Sequence, residues 1–151
     1  MKRILFVCHG NICRSPMAEY IMKDLTKNSS DYYIDSAATS YEEIGNGLYY
    51  LAKDTLDRHH IPYGHHQARH IRKSDLDEFD LIVGMDEENI IDLKYYFNNS
   101  SKIHKLLEFV GLDRDVIDPW YSRKFEECFD DLVKGCKGLY EFIERNAKKE
   151  G

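Results

Sequence analysis

No apolar run in this sequence approaches the length that a membrane span requires. The amino end imitates a signal peptide, with Met1-Lys2-Arg3 ahead of Ile4, Leu5, Phe6 and Val7, but His9 and Asn11 interrupt the stretch long before a signal core is complete. Basic charge is scarce as well. Against 27 Asp and Glu stand 21 Lys and Arg, a net charge of -6, which argues against a general nucleic-acid binder. An anionic ligand would then be attracted by a local field. Cysteines number 4, at positions 8, 13, 128 and 136, too unevenly spaced for a small disulfide scaffold. A reducing, cytoplasmic setting is expected. Internal repeats and low-complexity linkers are missing too, so residues 1–151 are expected to form a single domain, long enough to bury about 70% of its unfolded surface without a metal or disulfide staple.

What the chain does have stands close behind its first hydrophobic run: Cys8-His9-Gly10-Asn11-Ile12-Cys13-Arg14-Ser15. A thiol and a guanidinium are separated by 5 residues, with a helix about to begin. Lys2 to Val7 reads as a short strand, Ser15 as an N-cap and Pro16 as the first helical residue. Strand, loop and helix N-terminus together suit a tetrahedral oxyanion, because unpaired N–H groups and the helix dipole converge there. Gly10 is expected to supply backbone freedom, and Asn11 tolerates the left-handed region. The same field favours a thiolate, since a free cysteine titrates near about 8.5 and a helix N-terminus with a nearby cation lowers that. Cys8 is therefore a candidate nucleophile, and Arg14 a fork for two phosphoryl oxygens. A lone cysteine after a strand is more often simply buried; Arg14 and Ser15-Pro16 at this spacing set Cys8 apart.

Further along, hydrophobic periodicity alternates between strands and helices. Met17, Tyr20, Ile21 and Leu25 mark a helical face, and Tyr32 to Asp35 a second strand. Leu48 to Leu56 recur at helical spacing until Pro62-Tyr63-Gly64. Leu81 to Met85 read as a third strand, Asp86 to Phe97 as a helix, and Ile103 to Leu107 as a fourth strand. A long stripe from Phe125 to Ile143 ends in a polar tail, Asn146 to Gly151, with Cys128 and Cys136 on the stripe and so in the core. This alternation predicts a three-layer α/β fold with a parallel sheet, whose ligand site lies beyond the carboxyl ends of the strands.

Val7-Cys8-His9-Gly10-Asn11-Ile12-Cys13-Arg14-Ser15-Pro16 resembles the V-C-x-G-N-I-C-R-S-P signature of the low-molecular-weight protein tyrosine phosphatases. Asp35-Ser36-Ala37-Ala38-Thr39-Ser40, His66-Gln67-Ala68-Arg69, Met85-Asp86 and Asp118-Pro119-Trp120-Tyr121 resemble the family's later motifs in the same order. The resemblance implies a flavodoxin- or Rossmann-like fold with a four-stranded parallel sheet in the order 2-1-3-4. It implies hydrolysis of phosphotyrosine through a phosphocysteine on Cys8, with Arg14 binding the phosphoryl group and Asp118 as general acid. By itself Asp118-Pro119 would read as the start of a turn. An aspartic acid ordinarily titrates near about 3.9, so an acid at this position carries the expectation of a bell-shaped pH profile with an acidic optimum.

Other roles follow from the same resemblance. His9, Gly10, Asn11, Ile12, Cys13, Arg14 and Ser15 are expected to surround the phosphate, Trp120 and Tyr121 to wall the entrance, and Tyr41 to Glu43 to form the opposite rim. Asn11, Ser15, Ser36 and His66 are expected to brace the loop; alone, Ser15 would read as an N-cap and His66 as a surface residue. Cys13 is the expected disulfide partner of an oxidised Cys8. No cofactor or metal is implied, and His59, His60, His65, His66 and His70 are read as no more than an adventitious metal cluster. Tyrosine-phosphorylated proteins or peptides are the implied partners, with inorganic phosphate and other oxyanions as inhibitors. Neither nucleic-acid binding nor membrane insertion is expected, and the chain should be a monomer capable of weak self-association.

Among competing activities, a thioredoxin-linked arsenate reductase would need a relay of cysteines, and none lies between Cys13 and Cys128. Phosphoarginine phosphatases of similar sequence carry threonine where Ile12 stands, so Ile12 favours tyrosine. An inert phosphotyrosine-binding module is opposed by the intact Cys8, Arg14 and Asp118. Two departures remain: His9 replaces a smaller or apolar residue, and Ser122 stands where glycine often follows the aromatic pair, with a stiffer acid loop expected from it.

Overall fold

The computed structural model describes residues 2–150. Met1 of the leader-like start and Gly151 of the polar tail lie outside the described residues. At the centre runs β1 (Lys2–Cys8), buried from Ile4 onward. On one side it pairs with β2 (Tyr32–Ala38); on the other it pairs with β3 (Leu81–Gly84), which carries β4 (Ile103–Lys105). All pairs are parallel and the order is β2-β1-β3-β4. The chain thus moves outward from β1 to β2 and then crosses back over β1 to β3. That reversal opens a crevice at the carboxyl end of β1, where Cys8 sits opposite Ala38.

Six helices, α1 (Arg14–Leu25), α2 (Tyr50–Arg58), α3 (Asp75–Glu78), α4 (Glu87–Tyr96), α5 (Pro119–Ser122) and α6 (Phe125–Glu150), and a 3-10 turn at Leu106–Val110 complete the described chain. Strand side chains alternate between faces. Ile4, Phe6 and Cys8 accordingly join Met17 and Ile21 of α1 and Leu132, Cys136 and Leu139 of α6 in one core. Leu5 and Val7 join Phe79, Leu93 and Phe97 in the other.

Three local expectations need correction. Ser15 is not the N-cap of α1: Cys13 takes that place, and the first ladder bond runs from Met17 N to the Cys13 carbonyl at 3.0 Å. Pro16 is tolerated two residues inside the helix because the amides of the first turn have no intrahelical acceptor. β2 continues past Asp35 to Ala38, and β4 stops at Lys105. Leu106 and Leu107 leave the strand to be buried in the 3-10 turn beneath α6, a tertiary contact that strand periodicity does not report.

That contact explains two glycines in the middle of a long helix. A β-carbon on Gly135 would lie 2.4 Å from Leu106 Cγ, and one on Gly138 would lie 2.5 Å from Val110 Cγ1 and 2.9 Å from the Phe109 carbonyl oxygen. Exposed helical Gly→Ala changes stabilise by about 0.5–1 kcal/mol. Gly138→Ala is expected instead to destabilise by about 1–3 kcal/mol, because backbone atoms of the 3-10 turn cannot step aside as a side chain would. The shift of the urea midpoint measures it, and a raised midpoint would refute the account.

Candidate active site

β1 ends at Cys8, and the chain from His9 to Cys13 turns around a cleft before α1 begins at Arg14. The left-handed position in this loop is Asn11, at φ 60°, whereas Gly10 has no positive φ. The expected backbone freedom is thus supplied by the residue after the glycine. Gly10 instead lets the rim approach, since a β-carbon there would meet Glu43 Cγ at 3.4 Å.

Loop carbonyls are tied to the surrounding shell. His9 O accepts from Ser40 N at 3.1 Å and Ser40 Oγ at 2.9 Å, Asn11 O from His66 Nε2 at 2.7 Å, and Ile12 O from Tyr49 N at 3.0 Å. A trans peptide directs C=O and the next N–H in opposite senses. With those carbonyls held outward, the amides of Gly10, Ile12 and Cys13 face the inside of the loop, forming a nest for an anion.

Cys8 lies at the floor, the residue only 3% exposed. Asn11 N donates to Sγ at 3.3 Å, and Ser15 Oγ lies 3.0 Å from it. Because Ser15 Oγ already accepts from Asn11 Nδ2 at 2.8 Å, its own proton is free to point at the sulfur. Asn11 is itself fixed by Arg69 N, which donates to its Oδ1 at 3.1 Å. Arg69 is anchored in turn by ion pairs with Asp35 and the fully buried Asp75.

Arg14 is 2% exposed, yet its guanidinium is well supplied with acceptors. Nη1 donates to Asp86 Oδ2 at 2.6 Å and to the Val116 carbonyl at 2.9 Å, and Nη2 stands 3.6 Å from Asp118 Oδ2. Burial opposes its charge, but the Cys8 sulfur, Asp86 and Asp118 together outweigh burial and hold Arg14 above the usual arginine range. Asp118 caps α5, its Oδ1 accepting from Trp120 N at 3.0 Å. Pro119 at the first position sets the direction of that short helix.

The cleft has a volume of about 70 Å³, and Cys8, His9, Gly10, Asn11, Ile12, Cys13, Arg14, Glu42, Glu43, Asp118, Trp120 and Tyr121 line it. Trp120 is half-exposed and Tyr121 largely so. Of the three expected rim residues, Glu42 and Glu43 line the cleft, whereas the Tyr41 ring stacks on His70 with centroids 3.8 Å apart. His9 is tied to that rim through Nε2 and Glu42 Oε2 at 3.2 Å. Ser36 is also displaced from its expected role. Its hydroxyl donates to Glu19 Oε1 at 2.6 Å, fastening β2 to α1 one layer behind the loop. Cys13 is a free, buried thiol pushed well above the usual range by burial and by the neighbouring Cys8. Cys128 and Cys136 are buried in the core. The left-handed residue of the acid loop is Arg123, at φ 64°, and not Ser122.

Besides Arg69 and Ser40, three contributors have no role in the sequence analysis. Asp86 both caps α4, accepting from Asn89 N at 2.8 Å, and holds Arg14. Its Asp-x-x-Asn spacing marks a helix start, but nothing local reports an arginine 72 positions away. The Val116 carbonyl and the Tyr49 amide are backbone groups and leave no trace in side-chain pattern.

A profile of the low molecular weight phosphotyrosine protein phosphatase family matches residues 3–149. The chain belongs to that family. Its sequence is 40% identical over 152 residues to the low molecular weight protein-tyrosine-phosphatase YfkJ of Bacillus subtilis, covering 96% of this chain and 97% of that one. The crystal structure of YfkJ superposes with a TM-score of 0.92 over 97% of this chain and 96% of YfkJ. A low molecular weight protein tyrosine phosphatase from Streptococcus pyogenes follows at 38% identity and TM-score 0.85, with 96% and 93% of the two chains covered. An arginine phosphatase from Drosophila shares the fold at 30% identity and TM-score 0.87, covering 95% of this chain and 98% of its own. Family membership makes the chain a protein tyrosine phosphatase, a hydrolase acting on phosphoproteins. Among the described residues no helix is long and apolar enough to cross a membrane.

Proposed function

We propose that the chain hydrolyses phosphotyrosine in proteins, and small aryl phosphates, to the phenol and inorganic phosphate through a phosphocysteine at Cys8. The observation that supports this most strongly is the set of inward-facing amides around the Cys8 sulfur, closed on the far side by the buried Arg14. A phosphoryl group seated there accepts from Gly10, Ile12 and Cys13 amides while the Nη2 side of Arg14 takes further oxygens. Cys8 Sγ attacks phosphorus, the P–O bond to the aryl oxygen breaks, and the Asp118 carboxyl delivers its proton to that oxygen. Water then attacks phosphorus, its proton passes to the Asp118 carboxylate, the P–S bond breaks, and phosphate leaves with the thiolate restored.

Fixing Nη1 on Asp86 and Val116 O leaves the guanidinium no freedom to fold away, so its orientation does not have to be established at each turnover. Trp120 and Tyr121 offer an aromatic wall to the phenyl ring, and the depth of Cys8 selects a side chain long enough to reach it. Ile12 packs its side chain against the core and presents no hydroxyl to a phosphoramidate. Cys13 is the group that closes a disulfide on Cys8 after a peroxide has oxidised it to the sulfenic acid; the proton of Cys13 leaves with the hydroxyl as water.

A side-by-side assay of phosphotyrosine, phosphoserine and phosphoarginine peptides tests the assignment, with rapid acid quench of radiolabelled substrate to capture the thiophosphate ester. Phosphotyrosine is expected to be preferred by at least about 100-fold in kcat/KM, with label on Cys8. Preference for phosphoarginine, or turnover without a labelled cysteine, would overturn it.

A further inference from the structure

Tyr49 does not line the cleft, yet it touches both halves of the catalytic apparatus. Its backbone amide holds the Ile12 carbonyl at 3.0 Å, which fixes it to the phosphate loop. Its ring packs on Trp120 with centroids 4.7 Å apart, and its hydroxyl accepts from Arg123 Nη1 at 2.8 Å. The Arg123 guanidinium also lies 5.7 Å from the Trp120 ring. Trp120 and Arg123 stand at either end of the turn that Asp118 caps: the Trp120 amide donates to Asp118 Oδ1, and the Arg123 amide to the Pro119 carbonyl at 2.9 Å.

Arg123 holds a left-handed conformation at φ 64°. A residue with a β-carbon is strained there, so its side-chain contacts have to offset what glycine would not suffer. One ring and one hydroxyl therefore connect the loop that binds phosphate to the turn that presents the carboxyl.

We infer that Tyr49 is a positioning residue that, through Trp120 and Arg123, sets the distance between the phosphate loop and the carboxyl of Asp118. The inference rests on the reading of Asp118 as proton donor. Its signature is selective. Loosening the latch misplaces the acid without altering the nucleophile, so a substrate whose phenol needs a proton suffers and one with an acidic nitrophenol hardly does.

The experiment compares kcat/KM for phenyl phosphate and 4-nitrophenyl phosphate in the full chain. Tyr49→Ala should lose about tenfold on phenyl phosphate and less than about twofold on the nitrophenyl ester. Tyr49→Phe keeps the ring and should recover most of the loss. Arg123→Gly removes the guanidinium and relieves the left-handed strain, so it should keep or raise Tm while still losing about threefold on phenyl phosphate alone. A merely structural role would move Tm and both substrates together. Equal losses on the two esters, or wild-type leaving-group dependence in Tyr49→Ala and Arg123→Gly, would overturn the latch. Asp118→Ala separates the two readings: if it shows no leaving-group selectivity the acid assignment has failed, and if it does while the Tyr49 and Arg123 variants do not, only the latch has.

Discussion

Replacing Cys8 by serine is expected to lower kcat/KM for any aryl phosphate by at least about 10⁴-fold while leaving phosphate binding in place. The two side chains are close in shape, and the site at the end of β1 has no space to reorganise, with Cys8 buried between the sheet and α1. Serine accepts the same hydrogen bonds from Asn11 N and Ser15 that now reach sulfur. What is lost is chemistry. A hydroxyl is far harder to ionise than a thiol, and among the described residues the partners of this atom are the Asn11 amide and the Ser15 hydroxyl, with no histidine or carboxylate hydrogen-bonded to it to remove its proton. The loop amides and Arg14 remain, so inorganic phosphate should still raise the thermal midpoint, by an amount equivalent to about 2.7 kcal/mol at a hundred times its dissociation constant. Arg14→Lys makes the complementary case. An ammonium cannot span Asp86, Val116 O and a phosphoryl oxygen at once, and a loss of about 10²–10³-fold with weakened phosphate protection is expected. A Cys8→Ser protein retaining more than about one per cent of activity would show that the attacking group lies elsewhere.

Legibility in the sequence followed locality. The loop from Cys8 to Ser15 could be read because its parts are neighbours in the chain, and the parallel order 2-1-3-4 followed from the family resemblance. Within the loop, detail still escaped. Asn11 rather than Gly10 adopts the left-handed conformation, because its side chain can bond Ser15 and accept from Arg69 where glycine has nothing to offer. Ser15 looks like a cap, but a hydroxyl that is claimed by Asn11 and the Cys8 sulfur is not available to α1. Long-range contacts were less visible. Asp86 meets Arg14 only because β1 and β3 are adjacent and end level with each other. Of the rim expected from Tyr41 to Glu43, Glu42 and Glu43 line the cleft and Tyr41 does not, since the aromatic ring finds a better surface on His70 than over a polar cleft. Ser36, expected to brace the loop, donates its hydroxyl to Glu19 instead, because that buried carboxylate requires a donor.

Asp118→Ala should produce the second large effect, and its value lies in being unequal. In a substrate with a phenol of ordinary basicity, the departing oxygen would otherwise leave as a full anion beside a phosphoryl group, with the carboxylates of Asp86, Glu42 and Glu43 close at hand. General-acid assistance is typically worth about 10²–10⁴-fold, so a loss toward 10³-fold is expected for phenyl phosphate or a phosphotyrosine peptide. A nitrophenolate needs little assistance, and there the loss should stay near tenfold. The same variant separates proton donation from charge balance around Arg14. Asp118 Oδ2 lies 3.6 Å from Nη2, and Asp118→Asn keeps the hydrogen bond that caps α5 while removing the charge. If Asn and Ala at this position fall equally, and only for the poor leaving group, the proton is what matters. If instead Asn retains activity on phenyl phosphate, the carboxyl serves to hold the acid turn and Arg14 in place, and another donor must protonate the phenol.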